Sequence, residues 1–84
     1  MYAVNKIMRN VGLTIRYIRK KKDITMYALA KDCNTTATTI SSIETGRATE
    51  VKLSRILDIC NALDISIEDL VSLCESKENF YYGE

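Results

Sequence analysis

The chain has 84 residues, enough for one small domain, and its 46% apolar share suffices for a helical core. Its net charge of +1 hides a division: residues 1–47 carry nine Lys and Arg against Asp23, Asp32 and Glu44, whereas residues 48–84 carry Lys52, Arg55 and Lys77 against eight acids. Proline and histidine are absent and glycine occurs only at 12, 46 and 83, which speaks against turn-rich β architectures, histidine-based catalysis and glycine-rich phosphate loops.

In chain order, apolar spacing predicts five helices. The first runs from Asn10 to Lys22 with Val11, Ile15 and Ile18 inward, and its pattern extends back through Ile7 and Met8. Lys20, Lys21 and Lys22 read as a solvated helix end that also steers polyanions. The second helix follows Thr25 as N-cap and ends near Cys33, with Leu29, Ala30 and Cys33 on one face. Asn34 tolerates the left-handed conformation that ends a helix, and Thr36 caps the next. The third helix spans Ala37 to Thr45, buries Ile40 and Ile43, and stops at Gly46. The fourth, Glu50 to Leu63, is expected to bury Leu53, Ile56, Leu57, Cys60 and Leu63. The fifth begins after Ser66 and carries Leu70, Val71 and Leu73, with Glu68 and Asp69 in its favourable first turn. Residues 1–74 read as one domain and 75–84 as a short tail, whose aromatic run Phe80-Tyr81-Tyr82 we expect to dock on a partner.

No apolar run approaches the ~18 residues of a membrane span. The start, Met1 to Arg9, breaks its apolar residues with charge and lacks a secretion signal, so a cytoplasmic protein is expected. Cys33, Cys60 and Cys74 are odd in number and lack zinc-ligand spacing, so structural thiols are expected rather than a metal site. Glu68 and Asp69 turn about 100° apart on a helix and make no catalytic pair. Without an activated nucleophile, an enzyme is not expected. Neither is a cofactor or a small-molecule ligand.

Two apolar faces separated by Asn34-Thr35-Thr36, with small Ala30 at the crossing, describe a helix-turn-helix whose second helix would enter the DNA major groove. The segment resembles the lambda-repressor-like, Cro-type family of DNA-binding domains. The resemblance is carried by Ile15-Arg16, Arg19, Thr25, Leu29-Ala30, Thr36, Ile40-Ser41, Ile43-Glu44 and Gly46-Arg47, and it continues through Leu53, Ile56 and Cys60 to Leu70. It covers about residues 11 to 73. It implies an all-α, compact five-helix bundle with the helix-turn-helix formed by helices two and three. Two departures touch function: Met26 stands where the family often has a phosphate-contacting Gln, and Asn34 replaces the usual turn Gly.

The resemblance implies double-stranded DNA as partner and a homodimer as the working form, with Leu63, Ile65, Ile67 and the fifth-helix face as candidate interface. Thr25 and Thr36 would place hydroxyls at helix N-termini facing phosphates, with Met26 beside Thr25, and Arg47 and Lys52 would clamp the flanking backbone. Ala37, Thr38, Thr39 and Ser42 lie on the outward face of the third helix. The positions of Ala37, Thr38 and Ser42 read base edges in the family. All are short and offer no bidentate contact, so modest direct readout is expected, supplemented by water and DNA deformability. Arg19 and Glu44 match family positions that form a salt bridge between the first and third helices. The expected function is a transcriptional regulator, acting as a repressor. The alternative is a protein-interaction module of the same fold, an antitoxin or anti-repressor, favoured by Met26, the short reading side chains and the acidic rear half. Only about ten residues follow the fifth helix, so no ligand-sensing or protease domain is expected.

Overall fold

The structure, a computed structural model, describes residues 2–48 and 50–75, with side chains from Ile7 onward. Five helices follow one another: α1 (Tyr2–Lys21), α2 (Met26–Asp32), α3 (Ala37–Glu44), α4 (Leu53–Ala62) and α5 (Ile67–Glu75). No strand occurs among the described residues, and no helix among them is long and apolar enough to cross a membrane. The Phe80-Tyr81-Tyr82 tail lies outside the described residues.

Helix starts follow side-chain capping. Thr25 accepts a hydrogen bond from the Ala28 N–H at 3.0 Å, and Thr36 accepts one from the Thr39 N–H at 3.3 Å. Ser66 accepts from the Asp69 N–H at 3.0 Å, and the Asp69 carboxylate reaches back to the Ser66 N–H at 3.5 Å. Each pair satisfies N–H groups that a helix start otherwise leaves unbonded.

Helix exits share one solution. Asp23, Asn34 and Asp64 adopt φ of 63°, 58° and 59°, each just past a helix end. The following amide then turns back onto the helix: Ile24 onto the Arg19 carbonyl, Thr35 onto that of Ala30, and Ile65 onto that of Cys60. These are Schellman closures in which a short polar side chain replaces the usual glycine. Gly46, at φ 81°, ends α3.

Two helices depart from the expected boundaries. α1 begins at Tyr2 rather than Asn10, because residues 2–9 contain no glycine or proline to stop it. α4 begins at Leu53 rather than Glu50, with Lys52 as its extended N-cap. In a longer helix Val51 would point about 140° away from Ile56, whereas the extended segment lets it pack on the core.

α4 also buries a different stripe from the one expected. Ile56, Ile59, Cys60 and Leu63 face the core, while Leu53 and Leu57 are 66% and 45% exposed. Val71 of α5 is 51% exposed. Each is left uncovered, which periodicity cannot foresee. Leu63 is fully used by the core, so it is removed from the dimer candidates. Cys33 and Cys60 are buried in that core, where burial pushes both thiols up from their ordinary pKa.

α1 packs chiefly on α3 and α5. At its crossing with α3 sits Gly12, where an added Cβ would collide with the Ile43 carbonyl oxygen and come within 2.9 Å of the Glu44 carbonyl oxygen. Both obstacles are backbone and cannot swing aside. In the last turn of α1, Arg19 donates through Nε to Glu44 Oε2 at 2.7 Å and through Nη2 to Oε1 at 3.1 Å. Its Nη1 donates to the Ile24 carbonyl at 2.8 Å. Arg19 is 6% and Glu44 3% exposed, so the pair is desolvated and stands on its geometry.

Replacing Gly12→Ala should destabilise the domain by about 1–3 kcal/mol despite alanine's better helix propensity. A thermal midpoint equal to or above the parent's would show that α1 and α3 can move apart freely. Arg19→Met should cost roughly 3–5 kcal/mol by leaving Glu44 buried and alone, while Arg19→Met with Glu44→Leu should recover much of that loss. Urea melts of the two variants check it; equal losses in both would contradict the mechanism.

Candidate nucleic-acid interface

The turn between α2 and α3 is built by four residues. Cys33 closes α2, Asn34 takes the left-handed conformation, Thr35 bonds back to Ala30, and Thr36 opens α3. Ala30, 2% exposed, leaves room for α3 to cross close to α2. Ile40 and Ile43 fix the inner side of α3 in the core, and Glu44 fixes its end to α1 through Arg19. The opposite side of α3 is thereby held outward on a rigid support.

That outward side begins with Thr36, exposed, whose Oγ1 lies 3.2 Å from the Thr39 hydroxyl. Thr38 is exposed; Ala37, Thr39 and Ser42 are half-buried. Thr25 is exposed at the start of α2, while Met26 is half-buried and packs against the core. Arg47 and Lys52 are exposed on either side of the connection from α3 to α4. The cap oxygens of Thr25 and Thr36 accept backbone bonds; the Thr25 hydroxyl proton remains able to donate to an anion, and the Thr36 proton does so when Thr39 is the donor between their two hydroxyls.

A groove of about 630 Å³ runs between α3 and α4. Thr38, Thr39 and Ser42 line one wall; Lys52, Ser54 and Arg55 line the other. Of the residues singled out for DNA contact, these threonines, Ser42 and Lys52 converge there, whereas Thr25, Met26, Thr36, Ala37 and Arg47 lie outside it. Glu50 and Asp58 also line it, so the groove carries both signs of charge.

Arg55 was not visible as part of this site from sequence. Its Nη1 donates to the Cys33 carbonyl at 2.9 Å, tying α4 to the last turn of α2 across 22 residues of chain. A cation at a helix C-terminus satisfies an otherwise unbonded carbonyl and complements the dipole. Helical spacing alone places Arg55 only on a flank of α4, so nothing local announced the contact. The same environment acts on the Cys33 thiol: burial and then the Asp58 charge push it up, while Arg55 pulls it down.

Among the described residues no group of three or more His, Cys, Asp or Glu could hold a metal ion. Every buried side-chain nitrogen and oxygen among them has a hydrogen-bond partner.

No curated protein matches the chain significantly. Two solved structures of the clp gene regulator ClgR from Corynebacterium glutamicum are similar to it. One superposes with a TM-score of 0.79 at 26% identity, over 83% of this chain and 90% of that one. The other, with a TM-score of 0.82 at 23% identity over 92% of this chain and 81% of that one, shares the fold. The sequence pattern of the Cro/C1-type HTH DNA-binding domain matches residues 14–75. That match covers most of the chain and spans the capped helix pair and its turn, and the chain belongs to this family.

Proposed function

We propose that the domain is a sequence-specific transcriptional regulator, a repressor that inserts α3 into the major groove of operator DNA. The observation that carries this reading is the two-sidedness of α3: Ile40, Ile43 and Glu44 are locked inward while the hydroxyl row with Thr38 is presented outward. ClgR, by its description a regulator of clp genes, supports the regulatory assignment.

In this reading Thr25 and Thr36 donate to phosphates at the N-termini of α2 and α3. Arg47 and Lys52 neutralise flanking phosphates. Ala37, Thr38 and Ser42 touch base edges, and Thr39 holds the first turn of α3 through Thr36. Met26 donates no hydrogen bond and contributes an apolar contact at most. The basic front half faces DNA and the acidic rear half faces away. Promoter occlusion is the simplest outcome for so small a domain.

A homodimer would hold two half-site contacts together. A second groove, of about 610 Å³ between α1 and α5, suits a second copy. Its walls include Tyr17, Ile18, Ile65 and Leu73, with Lys21 and Lys22 on one bank and Asp69 on the other. Opposite charges on opposite banks are self-complementary under a two-fold axis. Of the earlier candidates, Ile65 lies in this groove.

The competing reading, a protein-interaction module, draws on Glu50 and Asp58 beside the reading helix, which lower its affinity for a polyanion. An electrophoretic shift with random duplex DNA across a salt series separates the two. A regulator should lose affinity by about 0.9 log units per log unit of salt for each phosphate contacted. Flat or absent binding up to tens of micromolar protein would favour the module. Thr38→Asp should abolish DNA binding with the thermal midpoint unchanged, since Thr38 is exposed; retained affinity would mean that α3 faces elsewhere.

A further inference from the structure

The two walls of the groove beside α3 are held by different neighbours. α3 packs chiefly on α1 and α2, and α4 on α2 and α5. Ala48 and Val51 of the connection rest against the core, and Lys52 follows as an extended N-cap whose side chain caps nothing. The placing of Lys52 across the groove from Thr38, Thr39 and Ser42 therefore depends on what joins α4 to the helix-turn-helix.

Arg55 makes that join with both its ends. Its backbone N–H donates to the Lys52 carbonyl at 2.9 Å, one of the bonds that open α4. Its Nη1 donates to the Cys33 carbonyl, also at 2.9 Å. Cys33 closes α2 immediately before left-handed Asn34, so the bond lands on the turn that leads into α3. A single residue thus links the backbone of Lys52 to the backbone of the turn. The guanidinium bond is charge-assisted and stronger than a neutral one. Exposure divides the two cations as well: Lys52 is exposed, whereas Arg55 is half-buried and turned onto protein.

We propose that Arg55 is a positioning residue of the DNA interface, holding Lys52 where it meets a backbone phosphate while α3 lies in the major groove. The proposal deepens the regulator reading and rests on it. Arg55 acts through Lys52 and contacts no phosphate of its own. Glu50 and Asp58 line the same groove, so a Lys52 released from its place has carboxylates to turn to instead. Losing the clamp therefore forfeits the phosphate contact with the lysine charge still present.

The test titrates the full chain into random duplex DNA across a salt series, using the parent, Lys52→Gln, Arg55→Gln and the two combined, each well below its thermal midpoint. In isotope-labelled Arg55→Gln the Asn34 amide, which shares a peptide bond with the Cys33 carbonyl, should shift as the bond is lost. Each single variant should lower the salt slope by about 0.9, the loss of one phosphate contact. Each should weaken binding about two- to tenfold, and the double variant should be no weaker than the weaker single. Arg55→Met takes the place of Arg55→Gln in the same cycle if the glutamine variant does not fold. An intact slope in the Arg55 variant would overturn the proposal and leave that residue a purely structural role. Losses that add in the double variant would overturn it too, since Arg55 would then touch a phosphate directly. So would an intact slope in Lys52→Gln. Parent binding that is absent or flat with salt would instead sink the regulator reading, and the proposal with it.

Discussion

The buried pair of Arg19 and Glu44 is the constraint on which the rest of the domain turns. One guanidinium gathers three separate pieces of chain: the end of α1 that bears it, the carbonyl of Ile24 in the first connection, and the last residue of α3. Because α3 is only eight residues long, it could not hold a helical conformation alone in water. It persists through Thr36 at one end, Glu44 at the other, and Ile40 and Ile43 between them. The close crossing at Gly12 brings α1 near enough for the ion pair to close. The exposed face of α3 is thus fixed by contacts made entirely on its hidden side.

The local chemistry of caps and turns was readable from the amino-acid order because each signal involves neighbours. Thr25, Thr36 and Ser66 each announce a helix start within three residues, and Asn34 announces an exit by its tolerance of positive φ. The pairing of Arg19 with Glu44 was readable only through family resemblance, since 25 residues separate the partners. Gly12 and Arg55 went unrecognised for a related reason. Their importance depends on which backbone happens to lie opposite, the Ile43 carbonyl in one case and that of Cys33 in the other. Leu53, Leu57 and Val71 show the limit of periodicity: it finds apolar positions on a helix but not how many neighbours arrive to cover them.

The surface divides into regions of different character. Short hydroxyl side chains and flanking cations surround α3, a groove of mixed charge separates it from α4, and the rear of α4 and α5 combines apolar and acidic character. Along the chain the basic residues concentrate in the first half and the acids in the second, which in the proposed reading would orient approach to a polyanion before any specific contact forms. In the proposed reading, short side chains on α3 leave more of the recognition to orientation and rigid support than a long arginine or glutamine would.

The three left-handed exits at Asp23, Asn34 and Asp64 have a consequence for how the chain can change over generations. Each holds a side chain where glycine would be at ease, at a cost of up to about 1–2 kcal/mol for a generic L-residue and less for these short polar ones. Relaxing all three would supply a margin that matters beside the stability of such domains, roughly 0.05–0.15 kcal/mol per residue and so about 4–13 kcal/mol over the 84 residues. At Asp23 and Asp64 that latent margin lies outside the turn and groove that border α3's outward row, so changes on that row that loosen the fold could be accommodated by a glycine acquired elsewhere.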